Sequence, residues 1–379
     1  MFMEVMTKRA IEFLDEQAMM LDAAKRFVAD KSPIAKVREL IESDAGFEAD
    51  IWAECAQLGW AGMAVPEEFG GSAFGLGAVV PVVEMMGRGL MSTPLVPTVL
   101  AGAVLTQAGA DAQKAAYLPK IAEGAIATLA LSEADGGWGL ADMTATASAN
   151  GDSVALSGTK ALVEHADKAD IIIASVSLDG KPALVILEKA DLANAKIERE
   201  TVIDETRRSF RVSLDGISIP ADRVLDPAKT ADALKYIELA SCLLCAADAT
   251  GAADSCLGVI VEYLTTRKQF EKLIGSYQGL KHPAADILQG IEAARSHLYH
   301  AATLFDEDWQ AAESAVRMAK HQADEVACYA GDRAIQFHGG FGFTYECDAQ
   351  LYRRRSIWNA AHFGDPTHQR QVLAELMFG

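Results

Sequence analysis

Ile171-Ile-Ile-Ala-Ser-Val-Ser-Leu-Asp-Gly-Lys-Pro-Ala-Leu-Val-Ile-Leu187 is a pair of apolar runs joined by an Asp-Gly turn, the pattern of two strands and a tight connection. Ile126 to Leu131, Val154 to Leu156 and Phe210 to Leu214 are further short runs of this kind, with Asn150-Gly151 and Asp215-Gly216 as turns between them. Strands spaced this closely leave no room for crossover helices. The region from about 126 to 225 therefore predicts an antiparallel barrel or sandwich rather than a doubly wound parallel sheet. Neither a Gly-x-Gly-x-x-Gly between strand and helix nor a phosphate-binding P-loop is present.

On both sides the texture is helical. Apolar residues recur at three- and four-residue spacing through Phe13, Ala18, Leu21, Ala24 and Phe27, and Pro33 ends that run. Pro66-Glu-Glu-Phe-Gly-Gly71 reads as a loop, and Val79 to Leu90 as another helix. Beyond residue 230, long helices are expected over about 231–268, 280–305 and 311–337, rich in Ala, Leu and charge. The expected organisation is α+β: helices over 1–125, an all-β domain over 126–228 and a helical bundle over 229–379.

Composition narrows the function classes. Half of the 379 residues are apolar and 23% are charged, an ordinary globular balance. With 34 basic against 53 acidic residues and a net charge of −19, the chain should repel nucleic acid and anionic lipid. Its six cysteines are too few for a disulfide scaffold. Cys242 and Cys245 lie in an apolar helical run without a second ligand pair, so they read as buried small residues. His282, His297, His300, His321 and His338 show no metal-type pairing. Neither a signal peptide nor a membrane span is expected, and the cytoplasm is the expected location.

Five motifs lie in order along this frame: Leu58-Gly-Trp-Ala-Gly-Met-Ala-Val-Pro-Glu-Glu-Phe-Gly-Gly71; Tyr117-Leu-Pro119 with Ala130-Leu-Ser-Glu-Ala-Asp-Gly-Gly137; Ser157-Gly-Thr-Lys160; Arg267-Lys-Gln-Phe270 with Gln278; and Gln336-Phe-His-Gly-Gly-Phe-Gly-Phe343. Together they resemble the acyl-CoA dehydrogenase family of flavoproteins over essentially the whole chain. That resemblance implies an N-terminal α-helical domain, a middle antiparallel β-barrel and a C-terminal four-helix bundle, assembled as an oligomer. It also implies FAD as cofactor and an acyl-CoA thioester as substrate. In the family's reaction a Glu carboxylate removes the α-proton while the β-hydride passes to the flavin.

The resemblance divides the site between subunits. A neighbour's bundle grips the flavin's nucleotide tail, and the residues for that grip are here: Arg267, Phe270, Gln278, Gln336, Gly339 and Gly340. The ring-side half departs from the family pattern. Trp138 replaces a small hydroxyl, and Leu162-Val-Glu164 stands where an aromatic-and-Thr segment is usual. Ser132 is left as a flavin hydrogen-bonder or a plain turn hydroxyl. The two positions where the family carries its base fall on Phe363 and Ser241, neither of which can take an α-proton at neutral pH. Glu238, one turn from Ser241, is a weak substitute; Asp365 flanks Phe363, and His362 is expected to point away from the site that Phe363 faces. Arg353-Arg-Arg355 is either a phosphate contact or a salt-bridged surface.

This pattern resembles the subunit lacking the catalytic Glu in two-subunit acyl-CoA dehydrogenases of bacterial steroid side-chain degradation. It implies a related partner subunit that carries the Glu. A homomeric enzyme using Glu238, a flavin-free scaffold, and a monooxygenase with His362 as base stay open.

Overall fold

The computed structural model describes residues 15–379; Phe13 of the first helical run lies outside them. The N-terminal domain is built from α1 (Asp15–Lys31), α2 (Ile34–Glu42), α3 (Ala49–Gln57), α4 (Val80–Arg88), α5 (Leu95–Ala108) and α6 (Asp111–Ala122). Helix α5 is buried along nearly its whole length, as a helix enclosed on all sides must be. It packs between α6, the first strand and the long helix of the C-terminal domain.

The middle domain holds β1 (Ala127–Ala130), β2 (Thr146–Asn150), β3 (Ser153–Ser157), β4 (Thr159–Glu164), β5 (Ile171–Leu178), β6 (Lys181–Glu188), β7 (Ile197–Arg199), β8 (Ser209–Ser213) and β9 (Ser218–Pro220). One sheet runs β1-β5-β2-β3-β9 with β6 on the other side of β5, and a second runs β4-β8-β7. The Asp-Gly and Asn-Gly turns close the antiparallel hairpins β5–β6 and β2–β3. Most pairings are antiparallel, but β1 and β2 both lie parallel to β5, beside its two ends. The physical reason for the unbroken Ile171–Val176 run is burial on both faces. Ile172, Ala174 and Val176 face the core between the sheets, whereas Ile171 and Ile173 pack toward α5 and α6.

The C-terminal domain comprises α7 (Thr230–Thr266), a hairpin of β10 (Lys268–Gln269) and β11 (Lys272–Leu273), α8 (Gln278–Glu307), α9 (Glu313–His338), α10 (Ala349–Ala361) and α11 (Pro366–Phe378). Helices α7 to α10 form the bundle. By length and hydropathy α7 could cross a bilayer, yet 72% of its most apolar window is buried inside the fold. Helix α4 crosses it at two glycines. A Cβ on Gly251 would stand 1.8 Å from the Glu84 carbonyl oxygen, and one on Gly87 2.1 Å from that of Asp248. This close backbone approach fixes where the Asp248 turn of α7 lies.

Candidate functional site

The sequence-derived residues fall into two places. Ser132, Leu162, Ser241 and Phe363 converge on one inner cavity between the β domain and α7, of about 80 Å³. The two expected base positions, 122 residues apart in the chain, therefore face the same space. The grip residues are elsewhere. Arg267, Phe270, Gln278, Gln336, Gly339 and Gly340 are all exposed on the outside of the bundle.

The wall of the inner cavity holds ion pairs that the sequence did not disclose. Arg207, from the loop before β8, reaches across to Asp248 on α7 (Nη2–Oδ2 2.9 Å) and lies 3.5 Å from Glu164 at the end of β4. Arg355 on α10, fully buried, pairs with Asp204 and with Asp248 (2.9 Å to Oδ2), and Asn359 donates to Asp248 at 2.7 Å. Although burial opposes ionisation, Arg355 and Arg207 hold the Asp248 carboxyl below the ordinary range. The Arg353–Arg355 cluster is therefore three different things. Arg355 is an internal brace, Arg353 pairs with Asp332 (2.8 Å), and Arg354 pairs with Glu205 (2.6 Å).

Glu164 and Asp248 are carboxylates lining the inner cavity, and both are engaged by Arg207. Glu238 lies outside this cavity; Arg317 (2.6 Å) and Lys235 (3.4 Å) bind its two oxygens. Asp365 caps α11 by accepting from the His368 amide (2.8 Å). His362 corrects the expectation from its sequence position, because it lines the inner cavity together with Phe363. The backbone turns at Phe363 (φ +56°), so neighbouring side chains need not diverge as on a strand. Burial pushes the His362 imidazole down to about 4, and Nδ1 is 2.8 Å from the Trp358 carbonyl. Burial pushes the Cys242 and Cys245 thiols up to about 12, which removes thiolate chemistry at neutral pH. Among the described residues no His/Cys/Asp/Glu group could hold a metal ion.

The loop that carries Ser132 and Trp138 is pinned from below. Lys160, fully buried, donates to Glu133 at 2.6 Å, and Glu133 also accepts from the Thr144 and Ala145 amides at 2.7 and 3.0 Å. Burial alone would raise the Glu133 carboxyl, but these donors, Lys160 foremost, hold it down to about 2.

On the outer face, the β10–β11 hairpin turns at Phe270-Glu271 with both residues at positive φ (+51° and +62°). Asn-Gly is the pair that usually accepts that geometry. The hairpin presents Phe270 86% exposed. Beside the end of α9 lies a surface hollow of about 540 Å³ lined by Gln336, Gly339, Arg353 and Gln350, among others. Both amide atoms of Gln350 are buried without a partner, and a Cβ at Gly339 or Gly340 would meet nothing within 4 Å. The cations in the wall of this hollow are Arg353 and Arg354, whereas Arg267 and Gln278 lie outside its lining. The inner cavity does not fit a flavin ring. It is about half the ~150 Å³ that admits a single benzene.

The model of the acyl-CoA dehydrogenase C-terminal domain matches residues 241–378, and that of the N-terminal domain matches 14–125. The acyl-CoA dehydrogenase FadE12 of Mycobacterium tuberculosis is 34% identical over 313 residues, covering 79% of this chain and 80% of that protein. IpdE2 of Mycolicibacterium smegmatis, also an acyl-CoA dehydrogenase, is 30% identical over 96% of this chain and 99% of its own. A solved Tcur3481–Tcur3483 steroid ACAD variant superposes with a TM-score of 0.85 at 29% identity, covering 96% of this chain and 98% of that one. The fold, the ordered motifs and these matches establish that the chain belongs to the acyl-CoA dehydrogenase family, whose cofactor is FAD.

Proposed function

We propose that this chain is the base-lacking subunit of a two-subunit, FAD-dependent acyl-CoA dehydrogenase acting on a lipid or steroid acyl-CoA. The observation that carries this is the contrast between its two half-sites. The nucleotide grip is exposed, while the ring-side cavity measures only about 80 Å³ and has the Arg207–Asp248 ion pair in its wall. The likeness to the Tcur3481–Tcur3483 steroid ACAD supports both the pairing and the substrate class.

Bound FAD supplies the acceptor for the β-hydride. The residues of this chain would position it. Arg267 neutralises pyrophosphate, Phe270 offers an aromatic face, and Gln278 and Gln336 offer amides. Gly339 and Gly340 let the phosphates approach the backbone closely. A related partner would contribute the glutamate that takes the α-proton, because Phe363 and Ser241 cannot.

The test is flavin stoichiometry. Purified alone, the chain should be colourless; with a base-bearing homologue it should yield a complex holding one FAD per two chains and oxidising acyl-CoA. One FAD per subunit in the lone chain, with turnover of acyl-CoA, would refute the proposal.

A further inference from the structure

The β10–β11 hairpin has two faces, and its register sorts its cations between them. Lys268 pairs with Leu273 and Gln269 with Lys272. The Ile274 amide donates to the Arg267 carbonyl at 2.9 Å, which carries the ladder one pair further. Arg267 itself has extended backbone (φ −74°, ψ 131°). Side chains opposite each other share a face, and successive ones alternate. Arg267, Gln269 and Lys272 therefore stand on one face, with Lys268 and Leu273 on the other. Arg267 and Lys272 are diagonal neighbours, a spacing of ~7–8 Å that long side chains can close.

The fold supplies no counter-ion for this pair. Both side chains are exposed, and neither has an ion pair with another of the described residues. In a chain with 53 acidic against 34 basic residues, two like charges on one face repel each other until an anion arrives. A diphosphate carries two negative charges, and Arg267 can match one of them. We propose that Lys272 is the second cation of the nucleotide grip, holding with Arg267 the two charges of the diphosphate linkage of FAD. The assignment rests on the function proposed above and adds a positioning residue to it. The two cations divide the work: Arg267 brings a flat fork, and Lys272 brings a compact charge on a flexible stem that can follow a phosphate. Lys268, next to Arg267 in the chain but on the opposite face, carries the same charge and takes no part.

Lys268 makes the test a comparison of faces. Lys272→Gln, Lys272→Arg and Lys268→Gln should be made in the full chain and compared with wild type in the complex with the base-bearing homologue. Equilibrium dialysis reads FAD retention at low and at high NaCl. Lys272→Gln should weaken retention about tenfold at low salt, the worth of one charge-assisted contact. Added salt should then cost that variant less than wild type, because one charge pair fewer is left to screen. Lys272→Arg should restore both values, and Lys268→Gln should match wild type in both. Lys272→Thr takes the place of the glutamine variant if that one does not fold. Equal retention in Lys272→Gln and Lys268→Gln, whether both fall or neither does, overturns the assignment and leaves the two-subunit function standing. Flavin in the unsubstituted lone chain would instead refute that function, and the same lysine comparison would then be read on that flavin. An assembly that holds no FAD refutes both.

Discussion

Asp248 sits in the run Ala246-Ala-Asp-Ala-Thr250, and a lone acid among small apolar residues on a helix must find a buried cation. Its partners could not be read from sequence, because Arg207 and Arg355 are 41 and 107 residues away. Phe363 and Ser241, by contrast, were singled out as two alternative base positions through the family resemblance, and the structure lines one cavity with both. Replacing Asp248 by Asn leaves two buried guanidinium groups with one fewer counter-charge. Loss of one member of such a network costs ~3–5 kcal/mol, so the denaturant midpoint of Asp248→Asn should fall steeply at unchanged slope. A change below ~1 kcal/mol would remove the brace from the account. Arg267 makes the opposite case. It is exposed, and its side chain has no ion pair with another of the described residues, so Arg267→Gln should leave thermal unfolding of the lone chain unaltered. In the complex it should weaken FAD retention by roughly ten- to a hundredfold, matching a charge-assisted bond of ~1.5–3 kcal/mol. Equilibrium dialysis of the complex measures this.

At the scale of elements, the three long helices α7, α8 and α9 were legible to within a few residues, because long periodic runs decide themselves locally, whereas the shorter α10 and α11 were not read. The hairpins at Asn150-Gly151 and Asp179-Gly180 were legible for the same reason. The parallel neighbours of β5 were not. Pairing of Ala127 with Ile171 joins strands 44 residues apart, and nothing in either strand encodes the direction of its partner. The β10–β11 hairpin is the place where local preference and structure disagree. Phe270 and Glu271 both occupy left-handed backbone at a cost of roughly 1–2 kcal/mol each, which an isolated fold has no reason to retain. Retention makes sense if Phe270 is held out for a partner's ligand. The double substitution Phe270→Asn with Glu271→Gly should therefore raise the stability of the lone chain by ~1–2 kcal/mol in chemical denaturation. The same variant should lower the FAD content of the complex. Stability without flavin loss would make the turn a structural accident.

For the whole molecule, acid sensitivity is set by buried groups on opposite sides of the balance. His165 is fully buried between the N-terminal and β domains, neither ring nitrogen has a partner, and its ring meets Phe47 edge-on at 5.2 Å. Burial pushes it down to about 4, as it does His362. Below pH 6.5 the unfolded chain binds protons that these imidazoles refuse in the native state, so their contribution to stability is present at neutral pH and falls as pH drops toward 4. Asp306 acts in reverse. Burial pushes its carboxyl up to about 6, although the Gly77 amide donates to it at 2.9 Å. The native state then takes up a proton that the unfolded chain does not, so this contribution grows as pH falls from 6 to about 3.8. The two effects oppose each other over the same window, and the wild-type curve alone would hide both. Comparison of variants separates them. Relative to wild type, His165→Asn, which tolerates the positive φ of +54° at this position, should gain up to ~1.4 kcal/mol per pH unit as pH falls from 6.5 to 4. Asp306→Asn should lose stability relative to wild type between pH 6 and 4, with a slope of opposite sign. Urea unfolding at half-unit pH steps measures both differences, and parallel curves for the three proteins would mean that neither group titrates in the window its burial dictates.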